Sequence, residues 1–183
     1  MTNNWIGLAR YIRGKKVALF GNAKSVLQCK KEIDSQYDII CRMNLGHVKG
    51  WGEYIGTRTD ILFLSMPVSD QVLKELNPKF IIWATPKHEK MTPYLECYAL
   101  RYNQTMWQCL YDHLGARPST GIMALDMLSG LAFRELNIYG YDHWKTVTWY
   151  NNKNRPCHHS PKAEEKLIKY IVNHSKGRII HVK

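Results

Sequence analysis

The sequence predicts one α/β domain of Rossmann-like type, a mainly parallel sheet with helices on both faces, and three observations carry that expectation. Short apolar runs recur along the 183 residues, rich in β-branched and aromatic side chains, as strands buried on both faces are. Helical stretches separate many of these runs, so strand and helix alternate. No repeat, low-complexity tract or Gly/Ser linker divides the chain, so residues 1–183 read as a single domain.

The first strand is Val17–Phe20, delivered into a turn at Gly21-Asn22, with a helical stretch from about Lys24 to Lys31 behind it. Asp38–Arg42, Asp60–Ser65 and Lys79–Thr85 read as the second, third and fourth strands. Pro93–Arg101 and Thr105–Leu114 read as helices, and Pro118-Ser119-Thr120-Gly121 opens an amphipathic helix to about Phe133. A fifth strand, Glu135–Tyr139, ends in Gly140-Tyr141-Asp142. A polar loop rich in aromatics and histidines runs from His143 to His159, before a helix over Pro161–Asn173 and a last strand at Arg178–Val182. Ligands of parallel sheets bind beyond the carboxyl ends of the strands, so the turns after Phe20, Arg42 and Tyr139 should share one rim.

Composition narrows the function classes. The formal charge is +11, from 26 Lys and Arg against 15 Asp and Glu. That favours a polyanion, a phosphate-bearing substrate or an anionic membrane face, although a solvated basic surface accounts for it equally well. The five cysteines (Cys29, Cys41, Cys97, Cys109, Cys157) are odd in number and form no C-x-x-C pair, which argues against a disulfide framework or a zinc ribbon. No run approaches the ~20 apolar residues of a membrane helix, and no secretory leader is visible. A cytoplasmic protein is the expectation.

Three segments could carry chemistry. Gly21-Asn22-Ala23-Lys24-Ser25 joins a strand to a helix, where free amides suit a phosphate and the Asn22 amide can donate. It is neither a P-loop nor a dinucleotide fingerprint, and alone it reads as an ordinary turn. Ser119 and Thr120 are good helix caps, and with Gly121 they also make a second anion or ribose site. In Cys157-His158-His159-Ser160-Pro161, Pro161 fits the first helical position with Ser160 as cap. His159 then stands before a helix N-terminus, whose positive end favours neutral imidazole, able to take a proton. Glu164 could steady that end of the helix. A metal site from Cys157, His158, His159 and His143 has poor ligand spacing.

Taken in order, these segments resemble the sialylmotifs of the eukaryotic-type sialyltransferase family. VALFGNAKSVL, Ile33-Asp34, Arg42-Met43-Asn44 and Gly56-Thr57-Arg58-Thr59 are similar to the long motif. PSTGIMALDMLSGLAFRELNIYGYD is similar to the short motif, and His159 with Glu164 matches the H-x-x-x-x-E of the very short one. The resemblance implies the sialyltransferase variant of the GT-A-like fold and an inverting, metal-independent glycosyltransferase using a nucleotide-sugar donor. His159 would be the general base, while Gly21, Asn22, Asn44, Ser119, Thr120, Gly121 and Gly140 would hold the donor. No D-x-D triplet is present to hold a divalent ion, and no cofactor is expected.

The chain departs from the family in three places. The luminal members' disulfide has no counterpart, since Val17 and Phe133 stand at its positions. The third-motif histidine is out of register within Val147–Asn152, leaving His143, Lys145 or Tyr150 as possible supports of the leaving phosphate. The chain is also much shorter than the animal enzymes, so the sugar need not be sialic acid. A CMP- or UDP-linked donor is expected, with a glycan or lipopolysaccharide precursor as acceptor. Alternatives are a DNA glycosyltransferase acting on a hydroxylated base, or an inactive nucleotide- or nucleic-acid-binding module.

Overall fold

The computed structural model describes residues 4–28, 32–46, 50–152 and 158–182. Its first half comprises α1 (Trp5–Ile12), β1 (Lys16–Phe20), a 3-10 segment (Lys24–Gln28), α2 (Ile33–Gln36), β2 (Ile39–Met43), α3 (Gly52–Ile55), β3 (Ile61–Leu64), α4 (Asp70–Leu76) and β4 (Phe80–Trp83). A 3-10 turn (His88–Lys90), α5 (Pro93–Tyr98), β5 (Ala99–Arg101), α6 (Gln104–Leu114), α7 (Thr120–Ser129), β6 (Glu135–Tyr139), α8 (Pro161–His174) and β7 (Ile179–His181) follow.

Among the described residues seven strands form one sheet, all parallel, in the order β5-β4-β3-β2-β1-β6-β7. Alternate strand residues enter opposite cores. Val17, Leu19, Ile39, Cys41, Ile61 and Phe63 pack with residues of α1, α6, α7 and α8, and Val17 and Phe133 both lie in this larger core. Ala18, Phe20 and Ile40 pack with Ile33 and Ile55, while Leu62, Leu64, Ile81 and Trp83 pack with Leu73 and Leu95. The runs that read as apolar on both faces are therefore central strands between two helical layers.

Several boundaries differ from the sequence reading. Pro93–Arg101 is not one helix: α5 stops at Tyr98, and Ala99–Arg101 pairs with Ile81–Trp83 as β5. Tertiary pairing there overrides the local helical pattern. The helix after Pro118 ends at Ser129, short of Phe133, with Gly130 as its C-cap. The helical stretch expected from about Lys24 is a 3-10 segment over Lys24–Gln28, and residues 29–31 lie outside the described residues. Helices α1 and α4, capped by the side chains of Asn4 and Ser69, have no counterpart in the sequence reading.

Much of the long motif is structural wiring. The Asp34 carboxylate accepts from the Thr57 amide and hydroxyl and from the Arg58 amide. Burial pushes the pKa of Asp34 up, but these bonds outweigh it and hold the group below the usual carboxylate range. Arg58 donates to Tyr37 O and Asp34 O and pairs with Asp60 at 2.9 Å. Arg42, 1% exposed, donates to the Ile55 and Arg58 carbonyls and lies over the Phe20 ring. Burial lowers its pKa to about 10. These contacts tie α2 and the α3–β3 connection beneath β2.

The strand order reverses between β1 and β6, because β2 to β5 build outward on one side and β7 on the other. At that point the Gly21 amide donates to Tyr139 O at 2.7 Å. A Cβ on Gly21 would stand 2.4 Å from the Gly140 oxygen, and Gly140 itself has φ +64. Only glycine at position 21 lets the two strand ends come this close. Gly21→Ala should destabilise the protein by about 1–3 kcal/mol, the usual range for overpacking. Chemical denaturation checks this, and an unchanged midpoint would contradict it.

Candidate functional site

A cavity of about 710 Å³ opens at the carboxyl ends of the strands, around the β1–β6 reversal where parallel sheets place their ligands. All of the expected site residues line it: Gly21, Asn22, Asn44, Ser119, Thr120, Gly121, Gly140, His143, Tyr150, His159 and Glu164. Lys145 is not among its lining residues. The turns after β1, β2 and β6 thus share one rim, as expected.

The first wall is the turn after β1. The Asn22 amide donates weakly, at 3.4 Å each, to Met43 O and to the Tyr150 hydroxyl. Its Oδ1 is buried with no hydrogen-bond donor. The loop carrying Tyr150 is fastened to this turn by Trp149 N donating to Asn22 O, Lys24 N donating to Val147 O, and a bridge between Ala23 and Thr148. Of the three groups considered as supports for a phosphate, Tyr150 is therefore the one seated beside Asn22.

The second wall is the start of α7. Asn44, in the left-handed region at φ 49, donates through Nδ2 to Thr120 Oγ1 at 3.1 Å. The Asn44 side-chain oxygen accepts from the Ser65 amide, and the Ser65 hydroxyl lies 2.6 Å from Thr120 Oγ1. Ser65 is a site residue that the sequence reading left at the end of a strand. Its signal was its place at the carboxyl end of β3, on the same rim. The first amides of α7, those of Thr120 and Gly121, have no acceptor within the helix.

Ser119 is already occupied. Its hydroxyl accepts from Ile122 N as the helix cap and donates to Glu164 at 2.7 Å, while its amide donates to the other Glu164 oxygen at 2.8 Å. Glu164 is 4% exposed, and burial raises its pKa against the lowering effect of those two bonds. The carboxylate locks the start of α8 to the start of α7. Ser160 occupies the N-cap of α8 but makes no capping bond through its side chain, contrary to the cap expected there.

His159 stands on the residue before that cap. Its Nδ1 lies 2.7 Å from the Arg117 carbonyl, which can only accept, so Nδ1 carries the proton and Nε2 keeps a lone pair. The ring stacks on Trp144 at 5.3 Å and 19°. Burial, reinforced by the charges of Arg117 and His158, holds its pKa below the ordinary histidine value despite the bond to the carbonyl. His143 sits on a left-handed backbone at φ 60 with its Nε2 3.9 Å from Glu165, and burial lowers its pKa too. Cys157 lies outside the described residues, and among those described no group of three or more His, Cys, Asp or Glu could hold a metal ion.

Nitrogen-15 NMR should find His159 neutral at pH 7 with its proton on Nδ1, titrating below a solvent-exposed histidine. A neutral form protonated on Nε2 would contradict the geometry.

The fold has solved counterparts. Sialyltransferase Cst-I from Campylobacter jejuni matches with a TM-score of 0.68 and 12% identity, over 92% of this chain and 75% of that one. CstII from Campylobacter jejuni, solved with cytidine-5'-monophosphate, matches at 0.63 and 13%, over 92% and 80%. A mammalian sialyltransferase in complex with Gal-beta-1-3GalNAc-ortho-nitrophenol matches at 0.60 and 16%, over 96% and 71%. No protein-family model matches the sequence, and no curated protein does. The chain has the fold of these sialyltransferases.

Proposed function

We propose that the chain is an inverting glycosyltransferase that moves a sugar from a cytidine- or uridine-linked donor to a hydroxyl of a glycan or lipopolysaccharide precursor. The observation that carries this reading is a neutral imidazole, His159, sharing one cavity with a helix start and an asparagine turn suited to a phosphate. A cytidine donor is favoured by the CMP bound in the CstII structure of the same fold.

In the proposed reaction, His159 Nε2 takes the acceptor's hydroxyl proton as its oxygen attacks the anomeric carbon. The bond from that carbon to the donor phosphate breaks, and the nucleoside phosphate leaves with the electron pair. The amides of Thr120 and Gly121, with the Asn22 amide and the Tyr150 hydroxyl once they exchange their present bonds, would donate to that phosphate. A single displacement fits the acidic groups present. Of the two carboxylates lining the cavity, Glu164 has both oxygens bonded to Ser119, and Asp142 accepts from Thr146 through Oδ2. Released phosphate charge is met by protein donors in this scheme, and no divalent ion is required.

His159→Ala should reduce transfer by at least about 100-fold, the usual scale of general-base catalysis, while CMP still binds. Mass spectrometry of acceptors incubated with a panel of nucleotide sugars, read beside CMP calorimetry, makes the comparison. Undiminished turnover would remove the base assignment. Because the folded pKa is depressed and the neutral form is active, kcat/KM should climb with pH below the ordinary histidine value and be flat by pH 7. EDTA should leave the rate unchanged, and a loss reversed by added Mg²⁺ would overturn the metal-free scheme.

A further inference from the structure

Beside the main cavity lies a second concavity of about 460 Å³, and the two share Lys87, Arg117 and His158. None of Asn22, Asn44, Thr120 or Tyr150 borders the second space. Its junction with the main cavity thus includes none of these residues assigned to the donor. It is also next to the proposed base, because the Arg117 carbonyl is the group that holds His159.

This junction is cationic. Lys87 and Arg117 line both spaces, and Lys90 adds its ammonium to the main cavity. Among the described residues none of the three has a carboxylate partner, whereas Lys16, Arg58, Arg134 and Lys169 all do. No Asp or Glu lines the second space. Its remaining wall includes Tyr111, 41% exposed and stacked flat on Trp107 at 5.4 Å and 20°. A flat aromatic beside unpaired cations suits a ring that carries an anion.

We propose that the junction binds a phosphoryl group on the acceptor, so that the acceptor is a phosphorylated sugar and not a neutral one. The inference rests on the glycosyltransferase reading, which makes the His159 side of the cavity the acceptor side. Lys87 and Arg117, which line both spaces, match the double charge of a phosphomonoester, with the arginine fork able to bind it through two oxygens, and Lys90 adds a third cation to the lining of the main cavity. A nucleic-acid strand would call for a track of cations following successive phosphates, whereas the Lys and Arg shared by the two spaces are Lys87 and Arg117 alone.

The test is calorimetry of the whole protein, saturated with CMP, against a hexose 6-phosphate, its parent hexose and a single-stranded oligonucleotide. The phosphorylated sugar should bind about tenfold or more tighter than the parent. The double variant Lys87→Glu, Lys90→Glu should lose that preference while CMP affinity is unchanged; both lysines are exposed, so the fold tolerates the change. Equal affinity for the two sugars, or a preference indifferent to the variant, would overturn the proposal. So would an oligonucleotide that binds tighter than the sugar phosphate with a salt dependence of several released ions. If CMP does not bind but the sugar phosphate still does, through Lys87 and Lys90, the donor reading fails and the phosphoryl subsite stands.

Discussion

The site depends on the approach of two backbones where β1 and β6 end. With the Gly21 amide bonded to Tyr139 O and no side chain at position 21, the two strands leave the sheet almost in contact. The turn after β1 can then receive the loop that follows β6, through the Asn22, Lys24 and Ala23 contacts with residues 147–149. Trp149 anchors that loop in the same core as Phe20 and Tyr139. Tyr150 reaches Asn22 only because this seam is closed. A bulkier residue at the seam would separate the site as well as strain the sheet.

The second organising element is the carboxylate of Glu164. Two helix starts that point into one cavity would ordinarily be free to shift relative to one another. Here a buried acid bonded to both polar groups of Ser119 fixes their separation. Burying that carboxylate raises its pKa, and the two charge-assisted bonds to Ser119 offset part of that cost. His159 before one helix and Thr120 at the head of the other are thereby held in a constant relation.

The sequence made the sheet legible because central strands must be apolar on both faces, and Val17–Phe20 or Asp60–Ser65 can hardly be anything else. It could not reveal β5, whose three residues become a strand only by pairing with β4. At the site, the ordered motifs pointed to Asn22, Thr120 and His159, since each stands at a strand end or helix start. What stayed hidden depends on tertiary contacts. Ser65 matters through its bonds to Asn44 and Thr120, and Trp144 through its stacking on a residue in another segment. The motif also carried more structure than chemistry: Asp34, Arg42 and Arg58 brace one another and the α3–β3 connection, and none of them lines the cavity. Ser119 was legible as either a cap or a ligand, and its hydroxyl serves as the cap while its hydrogen goes to Glu164.

The sheet finishes on both sides in strands of only three residues, Ala99–Arg101 and Ile179–His181. An outermost strand exposes unpaired amides and carbonyls that invite a stranger's strand to add on, and short length is one of the ways proteins deny it a foothold. With Arg101 exposed at one margin and so few free backbone groups at either, the margins offer little for a second chain to extend. A strand added at either margin would therefore gain few backbone hydrogen bonds.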